Sequence, residues 1–429
     1  MGKKLKKPAI RFKGFTDDWE QRKLGDSLMS LQNNTLSRAD LSNESGVAKN
    51  VHYGDVLIKF GEVLDISKEQ LPMITDERVL SKYKASFLQN GDVIVADTAE
   101  DSTVGKCSEI VGLNDEVVLS GLHTIPYRPV ENFASGYLGY YLNSDTYHNQ
   151  LIPLMQGIKV TSISKSAMQD TDIFYPKSIE EQGKISNYLQ SLDHLITLHQ
   201  RKYEKLLNVK KSMLEKMFPQ NGSKVPEIRF SGFADDWEQR KLGDIADVTK
   251  LAGFEFTEHV VYSDEGNIIA LRGLNIKNGQ LILDDVKYID GSNFSKLSRS
   301  KLFIDDIMFT YVGTVGEVAI IKENDRFYLA PNVSRIRVKS DDSPKFISHY
   351  MRTDNFKNKV IFPLIATSSQ PALSMENIRK FTINIPISRE EQDCLAKYFD
   401  NLDHLITLHQ RKLEKLQNVK KSCLEKMFV

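Results

Sequence analysis

Two pairs of histidines recur at one spacing, His194 with His199 and His404 with His409. Histidine binds metals and transfers protons near neutral pH, so these pairs are the first candidates for chemistry. Side chains that share a helix face are three or four residues apart, whereas these are five apart. His199 and His409 fall on the predicted seam between the helices, where we expect hydrogen-bonded core histidines, or residues that fix helix register, rather than a metal site.

Lysine and arginine are concentrated along the same two runs. The two clusters comprise Arg201, Lys202, Lys205, Lys210, Lys211 and Lys216, and Arg411, Lys412, Lys415, Lys420, Lys421 and Lys426. Such residues usually form a solvated helix face, which is the interpretation that we favour. The alternative is that they lie along a DNA backbone or an acidic partner.

No sequence motif for catalysis is present. The chain lacks a phosphate-binding G-x-x-x-x-G-K-[ST], a zinc-binding H-E-x-x-H, a G-x-S-x-G nucleophile elbow and a Gly-rich nucleotide fingerprint. Its carboxylates show no paired arrangement, and Cys107, Cys394 and Cys423 are too few and scattered for a disulfide framework or zinc cluster. We predict no catalytic residue, no metal site and no cofactor bound by this chain.

The composition is that of a globular protein without strong charge bias. The chain has 429 residues, enough for roughly two or three domains. Lys and Arg number 57, as do Asp and Glu, whereas a sequence-indifferent DNA binder usually shows a basic excess. No apolar run approaches membrane-spanning length, and the N-terminus lacks the apolar region of a signal peptide. We therefore expect a cytoplasmic protein with no membrane partner.

The chain is built from two copies of one plan. Residues 8–26 return as residues 226–244 with three differences, and Leu192–Lys202 is identical to Leu402–Lys412. We call 8–26 and 226–244 the frame segments. The residues between each frame segment and the helical run that follows it share only faint similarity. Near-identical elements thus enclose two divergent inserts.

Each copy closes with a long helix that has a heptad apolar pattern. Neither run contains an internal proline, and apolar or semi-polar residues recur at alternating steps of three and four. The predicted seam between the helices includes Leu192, Ile196, His199 and Leu206, and Leu402, Ile406, His409 and Leu416. An apolar seam needs a partner, and we expect the two helices to pair antiparallel. Further leucines and valines lie off this seam, where either the inserts or frame segments, or a separate protein subunit, would cover them.

The inserts read as mixed α/β domains with short strands. Runs such as Val93–Ala96 and Val318–Ile321 are apolar and bounded by turn residues. The predicted fold class is therefore α+β, with two pseudo-twofold related α/β domains separated by a long antiparallel two-helix coiled coil. The predicted segments are 1–26, 27–178, 179–218, 219–225, 226–244, 245–388 and 389–429.

The ordered set of motifs, present twice, resembles the specificity (S) subunit of Type I restriction–modification enzymes. The resemblance covers the whole chain. It is carried by Trp19–Asp26 and Trp237–Asp244, by Pro176–Gln182 and Pro386–Gln392, and by Leu192–Ile196 and Leu402–Ile406.

This resemblance implies a role and a set of partners. Each insert would be a target recognition domain that reads one half of an asymmetric, two-part sequence in double-stranded DNA. The helices would set the spacer between the halves and bind two modification (methyltransferase) subunits. Those subunits use S-adenosylmethionine, and restriction subunits bring ATP- and Mg-dependent translocation and cleavage.

Within that role, the polar loop before the last strand of each insert is the candidate for base contacts. Amide and hydroxyl side chains suit hydrogen bonding to base edges, and a lysine can contact phosphate instead. The candidates are Gln156, Lys159, Thr161 and Ser162 in the first insert, and Ser368, Ser369 and Gln370 in the second. The competing interpretations are ordinary surface loops and, for the whole chain, a coiled-coil scaffold with two protein-binding heads.

Overall fold

The computed structural model describes residues 7–220, 222–365 and 371–429. The chain forms two compact units, and each unit combines residues from both sequence repeats. The first unit contains the chain up to Gln200 together with Arg411–Val429, and the second contains Arg201–Gln410. Both boundaries between the units lie inside the long helices.

The first unit contains thirteen described strands. They are β1 (Glu20–Lys23), β2 (Leu28–Ser30), β3 (Leu41–Ser42), β4 (Ala48–Val51), β5 (Val63–Asp65), β6 (Met73–Ile74), β7 (Val93–Ala96), β8 (Thr98–Ala99), β9 (Cys107–Val111), β10 (Val118–Ser120), β11 (Thr124–Pro129), β12 (Thr161–Ser162) and β13 (Asp172–Tyr175). Two sheets have strand orders β10-β4-β6-β3 and β2-β11-β7-β9-β5, and β1 pairs with β13 and β8 with β12.

Six short helices and the first long helix accompany these strands. They are α1 (Leu24–Ser27), α2 (Tyr53–Ile58), α3 (Glu77–Tyr83), α4 (Tyr137–Leu142), α5 (Asp145–Leu151), α6 (Lys165–Gln169) and α7 (Ile179–Lys216). The N-terminal part of α7 belongs to the first unit and its C-terminal part to the second.

The second unit repeats the plan with smaller sheets. Its described strands are β14 (Glu238–Lys241), β15 (Ala246–Lys250), β16 (Ile269–Leu271), β17 (Ile276–Lys277), β18 (Gln280–Leu281), β19 (Lys287–Tyr288), β20 (Ile307–Thr310), β21 (Val318–Ile320), β22 (Phe327–Leu329), β23 (Val333–Val338) and β24 (Thr382–Ile385). The sheets are β15-β23-β20-β21 and β19-β16-β22, with the pairs β14-β24 and β17-β18. Its helices are α8 (Leu242–Ile245), α9 (Gly253–His259), α10 (Pro344–Met351), α11 (Asp354–Phe356), α12 (Met375–Arg379) and α13 (Arg389–Lys426).

The frame segments hold the two ends of each insert together. In the first unit β1 pairs antiparallel with β13, the last strand of the insert, and β14 pairs with β24 in the same way. The chain thus enters each insert directly after β1 or β14 and leaves it on the neighbouring strand, β13 or β24. This pairing explains why the frame and the apolar run before Pro176 or Pro386 occur together in the sequence.

A buried ion pair joins each frame segment to the start of a long helix. Arg11 donates from Nε and Nη2 to the two carboxylate oxygens of Glu181 at 2.6 and 2.9 Å. Arg229 makes the same paired contact with Glu391 at 2.7 and 2.8 Å. Both glutamates are almost fully buried. The planar guanidinium matches both oxygens of a carboxylate, so arginine is needed at this place in each repeat.

The glutamine after each of these glutamates ties the helix to the insert. The Gln182 side chain accepts from the Ala134 N–H at 2.9 Å and donates to the Pro176 carbonyl at 2.8 Å. The Gln392 side chain accepts from the Ser343 N–H and donates to the Pro386 carbonyl in the equivalent way. The repeated Glu-Glu-Gln motif is therefore a structural joint.

The end of each long helix completes the core beside the frame tryptophan of the other repeat. Phe428 packs edge-on against Trp19 with ring centroids 6.4 Å apart, and Phe218 packs against Trp237 at 6.1 Å. The Ile10 N–H donates to the Lys426 carbonyl at 2.9 Å, and the Ile228 N–H to the Lys216 carbonyl at 2.9 Å. The helices therefore end at Lys216 and Lys426, slightly before the predicted ends at 218 and 429, because the Met-Phe dipeptide turns into the core.

The predicted fold class is confirmed. Each unit contains a mixed α/β domain, and within each unit segments of the two long helices pack antiparallel. In the first unit Asp193 contacts Lys420, and the start of α7 lies toward the end of α13. In the second unit Lys210 contacts Asp403, and Phe218 stacks on Phe399. Among the described residues, no helix is both long and apolar enough to span a membrane.

One buried carboxylate makes the first unit sensitive to pH. Glu109 on β9 accepts from the backbone N–H groups of Gly136 at 2.5 Å and Gly139 at 3.0 Å, at the start of α4. Burial raises the pKa of Glu109 to about 7, and these hydrogen bonds offset the effect only in part. A glutamate in an unfolded chain has a pKa of about 4.3. The folded state therefore holds this proton more tightly than the unfolded state between pH ~4.3 and ~7.

We predict that replacing Arg11 with alanine destabilises the first unit. The substitution leaves the buried Glu181 carboxylate without its ion-pair partner, which costs about 3–5 kcal/mol in the free energy of unfolding. Denaturant titration of the intact chain measures the change. Arg22→Ala is the control, since Arg22 pairs with Glu20 at an exposed site and should have a much smaller effect. Equal losses for the two variants would contradict this interpretation.

We also predict that Glu109→Gln flattens the pH dependence of stability. Because the folded pKa is raised, the contribution of Glu109 is fully present below pH ~4.3 and is lost as pH rises through ~7. Between pH 5 and 7 the wild type should lose about 2 kcal/mol more than the variant, measured by denaturant titration at each pH. Glu116→Gln should not reproduce this, because Lys49 lowers the pKa of Glu116 and moves its titration below this range. Parallel profiles for wild type and Glu109→Gln would rule out the effect.

Candidate nucleic-acid interface

The predicted base-contacting loop of the first insert is a narrow, exposed hairpin. The Gln156 N–H donates to the Ser162 carbonyl at 2.9 Å, and the Ser162 N–H donates back to the Gln156 carbonyl at 2.8 Å. Gln156, Lys159 and Ser162 are exposed, and Thr161 is half-buried. The structure thus brings the four predicted residues together on one projecting loop, which we call the first loop (Gln156–Ser162).

The first loop is anchored to the insert on both sides. Its last two residues form β12, which pairs with β8, and the following Ile163 N–H donates to the Asp97 carbonyl at 2.9 Å. Ser164 then caps α6 by accepting from the Ala167 N–H. The loop projects from a fixed base, and its side chains face away from the core.

The predicted residues of the second insert, Ser368, Ser369 and Gln370, lie outside the described residues. Their flanks are described and match the first insert. The Leu373 N–H donates to the Tyr311 carbonyl at 2.8 Å, as Ile163 does to Asp97. Ser374 caps α12 as Ser164 caps α6.

A polar cleft beside the first loop contains residues that sequence reasoning missed. The cleft has a volume of about 480 Å³ and shares Ile163 and Ser164 with the segment that anchors the loop. Its polar lining includes Gln32, Asn33, Lys82 and Lys165. These residues come from three separate segments of the insert, so no local sequence pattern could have grouped them. Two lysines beside amide side chains suit contact with phosphate and base edges.

All eight predicted seam residues of the helices are buried or half-buried. Leu192, Leu402 and Ile406 are buried. Ile196, His199, Leu206, His409 and Leu416 are half-buried. Leu206 packs against the core of the second unit and Leu416 against that of the first. No metal-binding group of three or more His, Cys, Asp or Glu side chains occurs among the described residues.

Two lysines that we expected on a solvated helix face are in fact half-buried ion-pair partners. Lys420 contacts Glu62 at 2.8 Å and Asp193 at 2.6 Å. Burial alone would lower the pKa of Lys420, but the two carboxylates outweigh it and the pKa is raised. The heptad position of Lys420 carries it inward, where the long side chain reaches the insert.

The matching lysine of the first helix has a different environment. Lys210 pairs with Asp403, which also accepts from Arg352 at 3.0 Å. Burial lowers the pKa of Lys210, and Arg352 beside it adds to the effect. The neighbouring cations outweigh burial at Asp403 and lower its pKa. Neither lysine is available to a DNA backbone, so that alternative is wrong for these two members of the clusters.

The leucines and valines off the seam divide into two groups. Val209 and Leu214 pack against the core of the second unit, and Val419 and Leu424 against that of the first. The leucines nearer the middle of each helix remain exposed, each with 37–40% of its surface accessible: Leu195, Leu198, Leu405 and Leu408. The inserts thus cover one group and leave the other open.

Comparison with known families identifies the architecture. The model of the Type I restriction modification DNA specificity domain matches residues 16–208 and again residues 234–418. The two matches together cover most of the chain, one in each repeat. The chain belongs to this family. The resemblance read from the duplicated motifs is therefore confirmed, and a DNA specificity family agrees with the expected non-catalytic character.

The relatives of this chain include specificity subunits of Type I restriction enzymes. It is similar to the Type I restriction enzyme MjaVIII specificity subunit of Methanocaldococcus jannaschii, with 23% identity over 63% of this chain and 64% of that subunit. It is also similar to the Escherichia coli K12 Type I restriction enzyme EcoKI specificity subunit, with 22% identity over 70% of this chain and 66% of that one. The alignments thus span just under two thirds of these relatives.

A solved structure shares the fold along the whole chain. The S subunit of the Type I restriction-modification system from M. genitalium superposes with a TM-score of 0.62 and 13% identity, covering 99% of both chains. At that identity the likeness is one of fold alone. The frame pairing and the long helices of the specificity-domain chain are therefore compatible with very different sequences.

We predict that Lys159 and Gln156 contribute differently to DNA binding. Lys159→Ala should weaken binding to all sequences and reduce the slope of log K against log salt concentration by about one, as loss of one phosphate contact does. Gln156→Ala should relax one base position by about 1–3 kcal/mol with an unchanged slope. Titrations of DNA duplexes of varied sequence at several salt concentrations measure both.

Lys13→Ala is the control, because Lys13 is an exposed lysine of the frame segment outside the first loop. It should leave both the slope and the base preference unchanged. If Lys159→Ala and Lys13→Ala behave alike, Lys159 does not contact phosphate.

Proposed function

We propose that this chain is the sequence-specific DNA-recognition subunit of a Type I restriction–modification complex. Each insert reads one half of a bipartite, asymmetric target, and the chain acts in the cytoplasm. The observation that supports this most directly is the DNA specificity domain match in each repeat. Two unlike inserts in one chain suit an asymmetric target, because each insert presents its own side chains to its own half-site.

The long helices are the proposed docking sites for two methyltransferase subunits. The exposed leucines at 195, 198, 405 and 408 support this, because aligned apolar side chains on a helix are typical of protein contact surfaces. The catalytic chemistry belongs to the partners in this proposal. S-adenosylmethionine binds the methyltransferase subunits, and ATP and Mg serve restriction subunits that join the complex.

The charge of the first insert supports a reader that works within a complex. Acidic side chains outnumber basic ones in residues 27–175, and the whole chain has no net charge. Non-specific DNA affinity depends on cations that neutralise phosphates. The partner subunits therefore supply most phosphate contacts in this proposal, and the inserts supply the base contacts.

The test is co-expression with the cognate methyltransferase subunit, followed by mapping of methylated adenines across a genome. A discontinuous motif with two defined halves and a fixed spacer supports the recognition function. A stable complex that leaves the methylation pattern unchanged would support the coiled-coil scaffold instead.

We predict that the two halves of the target are read independently. Exchanging residues 27–175 for the insert of another specificity subunit should change one half of the methylated motif and leave the other half and the spacer unchanged. β1 lies outside the exchanged residues and pairs with the last strand that the incoming insert brings in place of β13. Exchange of residues 245–385 is the matched control and should change the other half only. A single exchange that alters both halves would contradict modular recognition.

A further inference from the structure

The first loop occupies a stretch without sequence identity between the two repeats, inside a segment whose flanking elements correspond. From a 3-10 turn at Ile152–Leu154 or Phe362–Leu364 onward, α6 and α12, and then β13 and β24, follow at a constant offset of 210 residues. Pro153, Leu154, Ser164 and Ile173 are identical in the second repeat. The seven positions 156–162 have no identity with 366–372. This segment therefore differs between the repeats, as residues 165–172 also do, while Ser164 and Ile173 beyond it are the same.

Ile158 lies at the tip of this variable segment and its side chain is fully exposed, with a relative accessibility of 102%. The backbone around it is constrained. Gly157 has a φ of +117°, and a Cβ atom there would lie 2.0 Å from the Val160 carbonyl oxygen. Only glycine fits, so the turn holds Ile158 outward. An isoleucine in this position contributes nothing to the core.

The surroundings of Ile158 favour a small apolar contact rather than a protein interface. Val160 is a second exposed apolar side chain of the loop, with 55% of its surface accessible. The other neighbours in the loop and the adjacent cleft are mainly polar or cationic: Gln156, Lys159, Ser162, Ser164 and Lys165. A stable protein interface buries about 800 Å² on each partner around a core depleted in charge, which this loop does not offer. In the major groove of DNA the one apolar group on a base edge is the C5-methyl of thymine, and phosphates lie within reach of lysines beside it.

We propose that Ile158 reads the C5-methyl group of a thymine in the half-site recognised by the first insert. The inference rests on the proposed DNA-recognition function and extends it to a residue and a base. Lys159 beside it contacts the phosphate backbone of the DNA and so holds the loop in place. Gln156 and Ser162 supply polar contacts at the base of the loop. The residue 210 positions later in the second repeat is Ser368, so this isoleucine is particular to the first insert.

The experiment compares thymine with deoxyuridine, which differs only by the methyl group. The methylated motif of the wild-type complex is mapped first. Each thymine of the first half-site, on either strand, is then replaced in turn by deoxyuridine in synthetic duplexes. At one position the wild-type complex should bind the deoxyuridine duplex about fourfold more weakly, the effect of losing one buried methyl group. The Ile158→Ala complex should bind both duplexes equally at that position.

Ile58→Ala is the matched control, since Ile58 is 88% exposed on the same insert but lies outside the first loop. It should keep the wild-type difference, and thermal unfolding of both variants should match the wild type. Any one of three results would overturn the inference. These are a first half-site that contains no thymine, a wild-type complex that binds every deoxyuridine duplex as well as the thymine duplex, and an Ile158→Ala complex that retains the wild-type difference. A wild-type complex that shows no preference for any bipartite motif would overturn the proposed function as well, so the two failures are distinguishable.

Discussion

The core of each unit depends on a helix end that comes from the other repeat. Phe428 fills the space beside Trp19, and Phe218 fills the space beside Trp237. The Ile10 and Ile228 N–H groups bind the last helical carbonyls beside these rings. Neither repeat can complete its core from its own contiguous residues. The frame segments and helix ends must therefore match each other across the repeats, which accounts for their near identity while the inserts diverge.

The identical helices contact the two different inserts through half-buried charged side chains. Asp193 and Asp403 occupy the same place in the identical eleven-residue runs, and each pairs with the lysine of the opposite helix. In the first unit the insert adds a carboxylate, Glu62, and in the second it adds a cation, Arg352. Buried ion pairs contribute little net stability, but a mismatched one is costly. The lysine–aspartate pair therefore favours one helix register, and each insert balances its charge in its own way.

Local sequence patterns correctly predicted the elements of this fold that depend on interactions between residues close together in the chain. The apolar run Val93–Ala96 is a strand over the same residues, and the uninterrupted heptads after Ile179 form one long helix. The sequence did not predict that the compact units divide each helix, because that outcome depends on contacts between residues about 200 positions apart. The burial of Lys420 was missed for the same reason, since its partner Glu62 lies in the other repeat. The cleft beside the first loop was not predicted, because its lining residues come from segments that are far apart in the sequence.

A site for changing specificity must be separable from the residues that hold the fold. The first loop meets this condition, because its closing hydrogen bonds join backbone atoms of Gln156 and Ser162, and backbone atoms are the same in every sequence. The side chains at its tip are exposed, so substitutions there create neither cavities nor unpaired buried groups. By contrast, Ile163 and Met168 just beyond the loop are buried, and the second repeat keeps apolar residues at both places. The boundary between variable and constant positions thus follows burial. This explains how two repeats can expose different side chains on one common fold.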